Sequence, residues 1–264
     1  MASSTDGRDT WQPELYSKHA HFVPALTQSV QGLLKPYLSP KTELLDLGCG
    51  DGVLTAELQP QCARVVGIDQ SASMVEMAKT SGCQDVRVGD GADLEAAGIP
   101  ANGFDVVFSN AALHWMKRDP AAVVRQIYRC LKPGGVLVAE LGGHLNVAGV
   151  HMALRTVVEA HGQSGDQLSP WFFPSTLDYQ QLLEHAGFVV KHVEWEPRPT
   201  TLPTDLRGWL DTFATPFLKP FSDPDERHRI LDEVTAMMKP VACDSQGKWT
   251  IMYCRLRVVA EKPH

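Results

Sequence analysis

The chain has 264 residues, 44% of them hydrophobic, enough for one full α/β domain or one domain with a lid. Its formal net charge is -7 and no run of lysine and arginine is dense enough to track a phosphate backbone, so nucleic acid is not an expected partner. No apolar run approaches the roughly 20 residues that span a bilayer, so no membrane association is expected.

The first residues, MASSTDGRDTWQPE, lack a basic n-region and an apolar h-region. They read as a short disordered leader ending near Trp11, without a secretory signal. From Glu43 to Leu141 strand and helix signals alternate, the pattern of a parallel sheet with crossover helices. ELLDL predicts a first strand, and RVVGI (64–68) a second, closed by Asp69. Ser71 to Thr80 reads as a helix with Ser71 as N-cap. DVRVG gives a short third strand ending at Asp90, and Phe104 to Ser109 a fourth. Asp119 to Leu131 is the next helix, with Pro120 at its first position. LKPGG then turns the chain into a fifth strand, GVLVAEL. These strands are largely continuous apolar runs, as a sheet covered on both faces requires.

After Leu141 the rhythm changes. Asn146 to Ala160 is a helix candidate, followed by an aromatic loop, SPWFFPS. Ser175 to Ala186 reads as helix and Phe188 to Trp195 as a sixth strand. A Pro-rich passage leads to two amphipathic segments, Asp205 to Phe213 and Asp223 to Met238, and WTIMYCRLRVVAEK closes the chain as a strand. Six cysteines, at 49, 62, 83, 130, 243 and 254, never fall in C-x-x-C spacing. Reduced thiols, a cytoplasmic setting and no metal site are the expectation.

The most informative stretch is Leu44 to Gly52, LLDLGCGDG. A strand runs into Asp46 and then glycines at alternate positions, 48, 50 and 52. Such glycines make a tight turn whose backbone can approach a ligand. The dinucleotide fingerprint would need glycine at position 53, where Val53 stands. The pattern Asp-x-Gly-x-Gly-x-Gly resembles motif I of the class I S-adenosylmethionine (SAM) dependent methyltransferases. That resemblance implies a Rossmann-like, mostly parallel seven-stranded sheet with helices on both faces and a helical cap. It implies SAM as cofactor, with Gly48 and Gly50 against its methionine part and Asp46 balancing its positive charge. Asp69, with Gln70 and Met74 beside it, suits the ribose hydroxyls. Asp90, Gly91 and Ala92 fit the adenine edge. Asp69 by itself would also fit NAD; it is the order of acids closing successive strands that favours SAM.

The fourth strand leads into SNAALHW. Methyltransferases acting on nucleobase or side-chain amines commonly carry Asn/Asp-Pro-Pro-aromatic here, whereas this chain has Asn110-Ala111-Ala112. The departure argues against nucleic acid methylation; the segment resembles small-molecule methyltransferases, a resemblance which implies that Asn110 and Ala111 border the methionine moiety. His114 and Trp115 then face the acceptor cavity or the packing behind it. WQPELYSKHAHFVPAL resembles the N-terminal helix of trans-aconitate methyltransferase and its relatives, where a W-x-P-x-x-Y segment folds over the cofactor; Trp11, Tyr16 and His19 match it. The KPGG turn and the segment from Trp209 to Leu218 extend the likeness over nearly the whole chain.

Four regions follow: 1–40 as a helical cover over the cofactor, 41–142 as the SAM-binding core, 143–225 as a substrate-side cap including the sixth strand, and 226–264 as a helix and final antiparallel strand completing the core. His114 and His144 are the candidate catalytic residues, as base or as positioning group. His151 and Asn146 are further polar candidates, Trp171, Phe172 and Phe173 an apolar wall, and Arg207 and Trp209 a closing cap. The expected activity is O-methylation of a small carboxylate or phenol by in-line displacement, in a monomer or homodimer. The rival readings are an NAD(P)-dependent oxidoreductase and a non-catalytic SAM-binding regulator.

Overall fold

The computed structural model describes residues 28–264. Trp11, Tyr16 and His19 lie outside the described residues. Seven strands form one sheet in the order β3-β2-β1-β4-β5-β7-β6. They are β1 (Glu43–Leu47), β2 (Arg64–Asp69), β3 (Val86–Val88), β4 (Phe104–Asn110), β5 (Leu131–Gly142), β6 (Val189–Thr201) and β7 (Thr250–Glu261). The first five pair in parallel, and β7 enters antiparallel between β5 and β6. The expected mostly parallel sheet is therefore observed.

Helices cover both faces. Helix α1 (Gln28–Leu34) lays Val30 and Leu34 against Leu44, Val106, Phe108 and Val138. Helix α2 (Val53–Leu58) follows the glycine turn. Helix α3 (Ala72–Thr80) starts where the Ser71 side chain accepts from the Met74 N–H. Helix α4 (Pro120–Cys130) is capped by Asp119 and packs Val123, Val124 and Ile127 beneath the opposite face. Three strand boundaries differ from expectation. β3 stops at Val88, two residues before Asp90. LKPGG belongs to β5: Leu131 pairs with Phe104 and the ladder resumes at Val136, so the intervening residues form a bulge. β6 runs on through the Pro-rich passage to Thr201. It is an edge strand, and Pro197 and Pro199, two apart, turn their missing N–H groups the same way, off the β7 ladder.

The remaining helices are α5 (Ala148–Ala160), α6 (Gly165–Leu168), α7 (Thr176–His185), α8 (Leu206–Phe213), α9 (Thr215–Leu218) and α10 (Pro224–Ala242). Most form their own hydrophobic cluster: Val150 and Leu154 of α5, Trp209 and Phe213 of α8, Ile230 and Val234 of α10, with Trp171 and Tyr253. This cuts across the expected regions. Helix α10 packs with the cap, while Tyr179 and Leu183 of α7 pack on the sheet. The cause is the hydrophobic pattern: each segment buries its apolar stripe wherever a partner stripe is exposed, whatever its place in the chain.

Candidate active site

In an open α/β sheet the ligand crevice lies at the carboxyl ends of the strands where strand order reverses. Here that is between β1 and β4, and the turns after both strands meet there. Gly48 has φ +80°, and a Cβ on it would lie 2.1 Å from the Ala112 Cβ. Only glycine lets the two turns touch. Ala111, next to this contact, holds φ +56°, and Val147, after β5, φ +45°. Both line the cavity, so left-handed backbone strain sits at the site. The cavity encloses about 1360 Å³ with its open mouth.

Most of the residues expected to contact the cofactor line this one cavity. Gly48, Gly50, Asp69, Gln70, Met74, Asp90, Gly91, Ala92, Asn110 and Ala111 all line the cavity. The Gly50 N–H donates to Asp69 Oδ2 and the Ser71 N–H to Asp69 Oδ1, each at 2.9 Å. The carboxylate is thus fixed between two turns. Asp90 accepts from the Ala92 N–H at 2.9 Å and is ion-paired with Arg118. Asn110 Oδ1 is buried and has no hydrogen-bond partner among the described residues.

Asp46 departs from expectation. It is 3% exposed, is not a lining residue, and accepts a 2.6 Å hydrogen bond from Thr55 Oγ1 beneath the glycine turn. Burial, opposed by the Thr55 bond and aided by the Asp69 charge, pushes its carboxyl up to about 7.

The residues expected on the acceptor side are brought in only in part. His114 is 6% exposed and lines the cavity. Its Nδ1 accepts the Gly142 N–H at 3.1 Å. Burial, then the Arg255 charge, holds the imidazole well below its usual range, so the ring is neutral. A neutral ring whose Nδ1 accepts carries its proton on Nε2 and is a donor there. His144 is not brought in: it is exposed, and its carbonyl accepts from Trp195 Nε1 at 2.8 Å. The register turns the loop after Gly143 outward, toward the β6 edge. Asn146, Trp171, Phe173 and Trp209 do line the cavity, while Phe172 packs against the sheet cluster. Arg207 is tied to Asp211 and Asp232, and His151 contacts Ser169 Oγ at 2.9 Å. Neither lines the cavity.

Arg255 is the residue sequence reading missed. It is 4% exposed, lines the cavity and lies 4.6 Å over the Tyr253 ring. Glu140 is 3.7 Å from its Nε and also pairs with Arg257 and Arg198. The available signal was two arginines, 255 and 257, two apart on an otherwise apolar final strand.

Residues 45–139 match the family profile of a methyltransferase domain. An uncharacterized methyltransferase of Schizosaccharomyces pombe is 44% identical, covering 96% of this chain and 98% of that protein. A trans-aconitate 2-methyltransferase of Azoarcus sp. is 38% identical over 78% of this chain and 83% of its own. The crystal structure of a candidate methyltransferase from Bacillus halodurans superposes with TM-score 0.61 at 18% identity, covering 89% of this chain and 99% of that one. The chain belongs to the SAM-dependent methyltransferases. SAM is its cofactor, and the cavity residues fit it. Asn110 Oδ1, without a partner among the described residues, would suit a cationic methionine part, and the anchored Asp69 carboxylate would suit ribose hydroxyls.

No helix among the described residues is long and apolar enough to cross a membrane. All six cysteines are free, and no cluster with metal-ligand character occurs among the described residues.

Proposed function

We propose that this enzyme methylates a carboxylate oxygen of a small molecule. The observation that carries the reading is Arg255, a buried cation at the acceptor end, beside a neutral His114 that presents a donor. Two donors of this kind, one charged, recognise an anion and leave no group suited to take a proton. A carboxylate needs no base because it is already ionised at working pH. A relative named trans-aconitate 2-methyltransferase supports the same class.

SAM, when bound, supplies a methyl group on a sulfonium. The chain's own residues position and exclude. Asp69 would hold the ribose, Asp90 and the Ala92 N–H the adenine edge, and Gly48, Gly50, Asn110 and Ala111 would border the methionine part. Arg255 and His114 Nε2–H would orient the acceptor carboxylate, and the aromatic wall would keep water out. Fixing two reactants in attack geometry can contribute roughly 7–11 kcal/mol. We assign the cap cluster around α5, α8 and α10 to the acceptor side, and no nucleic acid to the reaction.

Transfer of isotopic methyl from SAM to a panel of small acids tests this. The expected product is an alkali-labile ester, and Arg255→Gln should raise acceptor KM with little change in SAM affinity. An alkali-stable product, or an unchanged KM in Arg255→Gln, would sink the reading.

A further inference from the structure

The acceptor half of the cavity has one chemistry over most of its surface. Trp115, Trp171, Phe173, Trp209, Phe213 and Tyr253 line it. Trp115 stacks on Phe213 with centroids 6.3 Å apart and planes at 27°. Trp171 stacks on Phe173 at 5.7 Å and 19°, and meets Trp115 edge-on. The polar tips of two of these rings satisfy each other: Trp209 Nε1 donates to Tyr253 Oη at 2.7 Å. What this wall offers a ligand is therefore mainly ring face and edge.

Positive charge is scarce beside it. Among the described lining residues the arginines are Arg118 and Arg255. Arg118 sits at the adenine end, paired with Asp90. Among the described residues Arg255 is the arginine at the acceptor end, and part of its field is spent on Glu140. One such cation can balance one carboxylate. A second or third carboxylate on the same small molecule would lie against indole and benzene rings with no further arginine or lysine among the described lining residues, and burying an unpaired ion is strongly unfavourable. An apolar, planar body gains instead from burial and from offset or edge-on contact with the rings.

We propose that the acceptor is a monocarboxylic acid with an apolar, flat remainder, aryl or unsaturated acyl, rather than a small polycarboxylate. The inference rests on the carboxylate reading above and narrows it. It separates this chain from the tricarboxylate in the name of its trans-aconitate relative.

The test uses the full chain with three probes: trans-cinnamate, trans-2-octenoate and trans-aconitate. Methyl transfer is measured with labelled SAM, and acceptor binding is measured separately by calorimetry on the S-adenosylhomocysteine complex. The expected result is that both monoacids bind and are esterified with kcat/KM at least about tenfold above trans-aconitate. Phe213→Arg, which adds a second cation to the wall, should shift the preference toward trans-aconitate, with S-adenosylhomocysteine affinity reporting that the fold survives. Equal or better use of trans-aconitate by the unaltered chain overturns the inference and leaves the carboxylate reading standing. An unchanged preference in Phe213→Arg with intact S-adenosylhomocysteine binding counts equally against the inference. If S-adenosylhomocysteine binds but none of the three acids binds or accepts label, both readings fall together.

Discussion

The proton on His114 sits on Nε2 because the Gly142 N–H points into Nδ1, and that decides what the residue can do. As a donor it should cost one hydrogen bond to a charged group when removed, about 1.5–3 kcal/mol. His114→Ala should therefore lower kcat/KM roughly tenfold to a hundredfold, with SAM affinity unchanged, whereas His114→Asn, which keeps an N–H donor, should retain much of the rate. The pH profile of the unaltered enzyme should show no histidine limb between about pH 6 and 8, because burial keeps the ring neutral throughout. A limb that disappears in His114→Asn would make it a base after all. Asp46 gives the opposite kind of prediction. Its folded carboxyl keeps its proton to about 7, against 3.8 when unfolded, so the folded state binds more protons in between. Its contribution to stability is then lost as pH rises from about 4 to 7. Relative to the unaltered chain, Asp46→Asn should grow more stable across that window, by about 4 kcal/mol at most, and level off above it. Urea unfolding at pH 4, 5.5, 7 and 8 checks this; a constant difference at all four would show an ordinary carboxyl. Asp46 was legible in the sequence as a motif acid, yet its burial under the turn was not. That depends on Thr55, nine residues on, facing back from α2.

The turns after β1 and β4 act as one element because Gly48 and Ala112 touch. Gly48→Ala should cost about 2–4 kcal/mol, from overpacking plus a left-handed conformation. Adding Ala112→Gly should recover part of this, and a double-mutant cycle should show a coupling above about 0.5 kcal/mol. Additive effects would mean that the turns are independent. Ala111→Gly should move the other way, stabilising by about 1 kcal/mol through relief at φ +56°. The glycines and acids of this crevice could be read from the sequence because they lie within a few residues of strands with clear apolar runs. The bulge at LKPGG and the long β6 could not. A prolines-and-charges passage reads as loop, and what makes Glu196 to Thr201 a strand is pairing with β7 about 50 to 60 residues away. Arg255 was hidden for the same reason. Which face of β7 meets the cavity depends on insertion between β5 and β6, a long-range event with no local signal.

At the scale of the whole molecule, the crevice lies where the sheet meets the cap cluster, with lining residues drawn from both. A ligand there contacts both bodies only when they are folded together, so its binding free energy adds to the stability of the assembled state. At 100 times its dissociation constant, S-adenosylhomocysteine should contribute about 2.7 kcal/mol. For a chain of 264 residues each kcal/mol is worth roughly 2–4 °C, so Tm should rise by roughly 5–10 °C. NAD at the same concentration should leave Tm unchanged, because Val53 stands where a dinucleotide turn needs glycine. Asp69→Asn should remove about half of the gain or more by weakening S-adenosylhomocysteine at least tenfold, since it takes the charge from a carboxylate already fixed by two backbone N–H groups. The linkage also predicts its own concentration dependence: above saturation, Tm should keep climbing with the logarithm of ligand concentration. A plateau at one ligand equivalent, or a shift preserved in full in Asp69→Asn, would mean that the stabilisation does not come from this crevice.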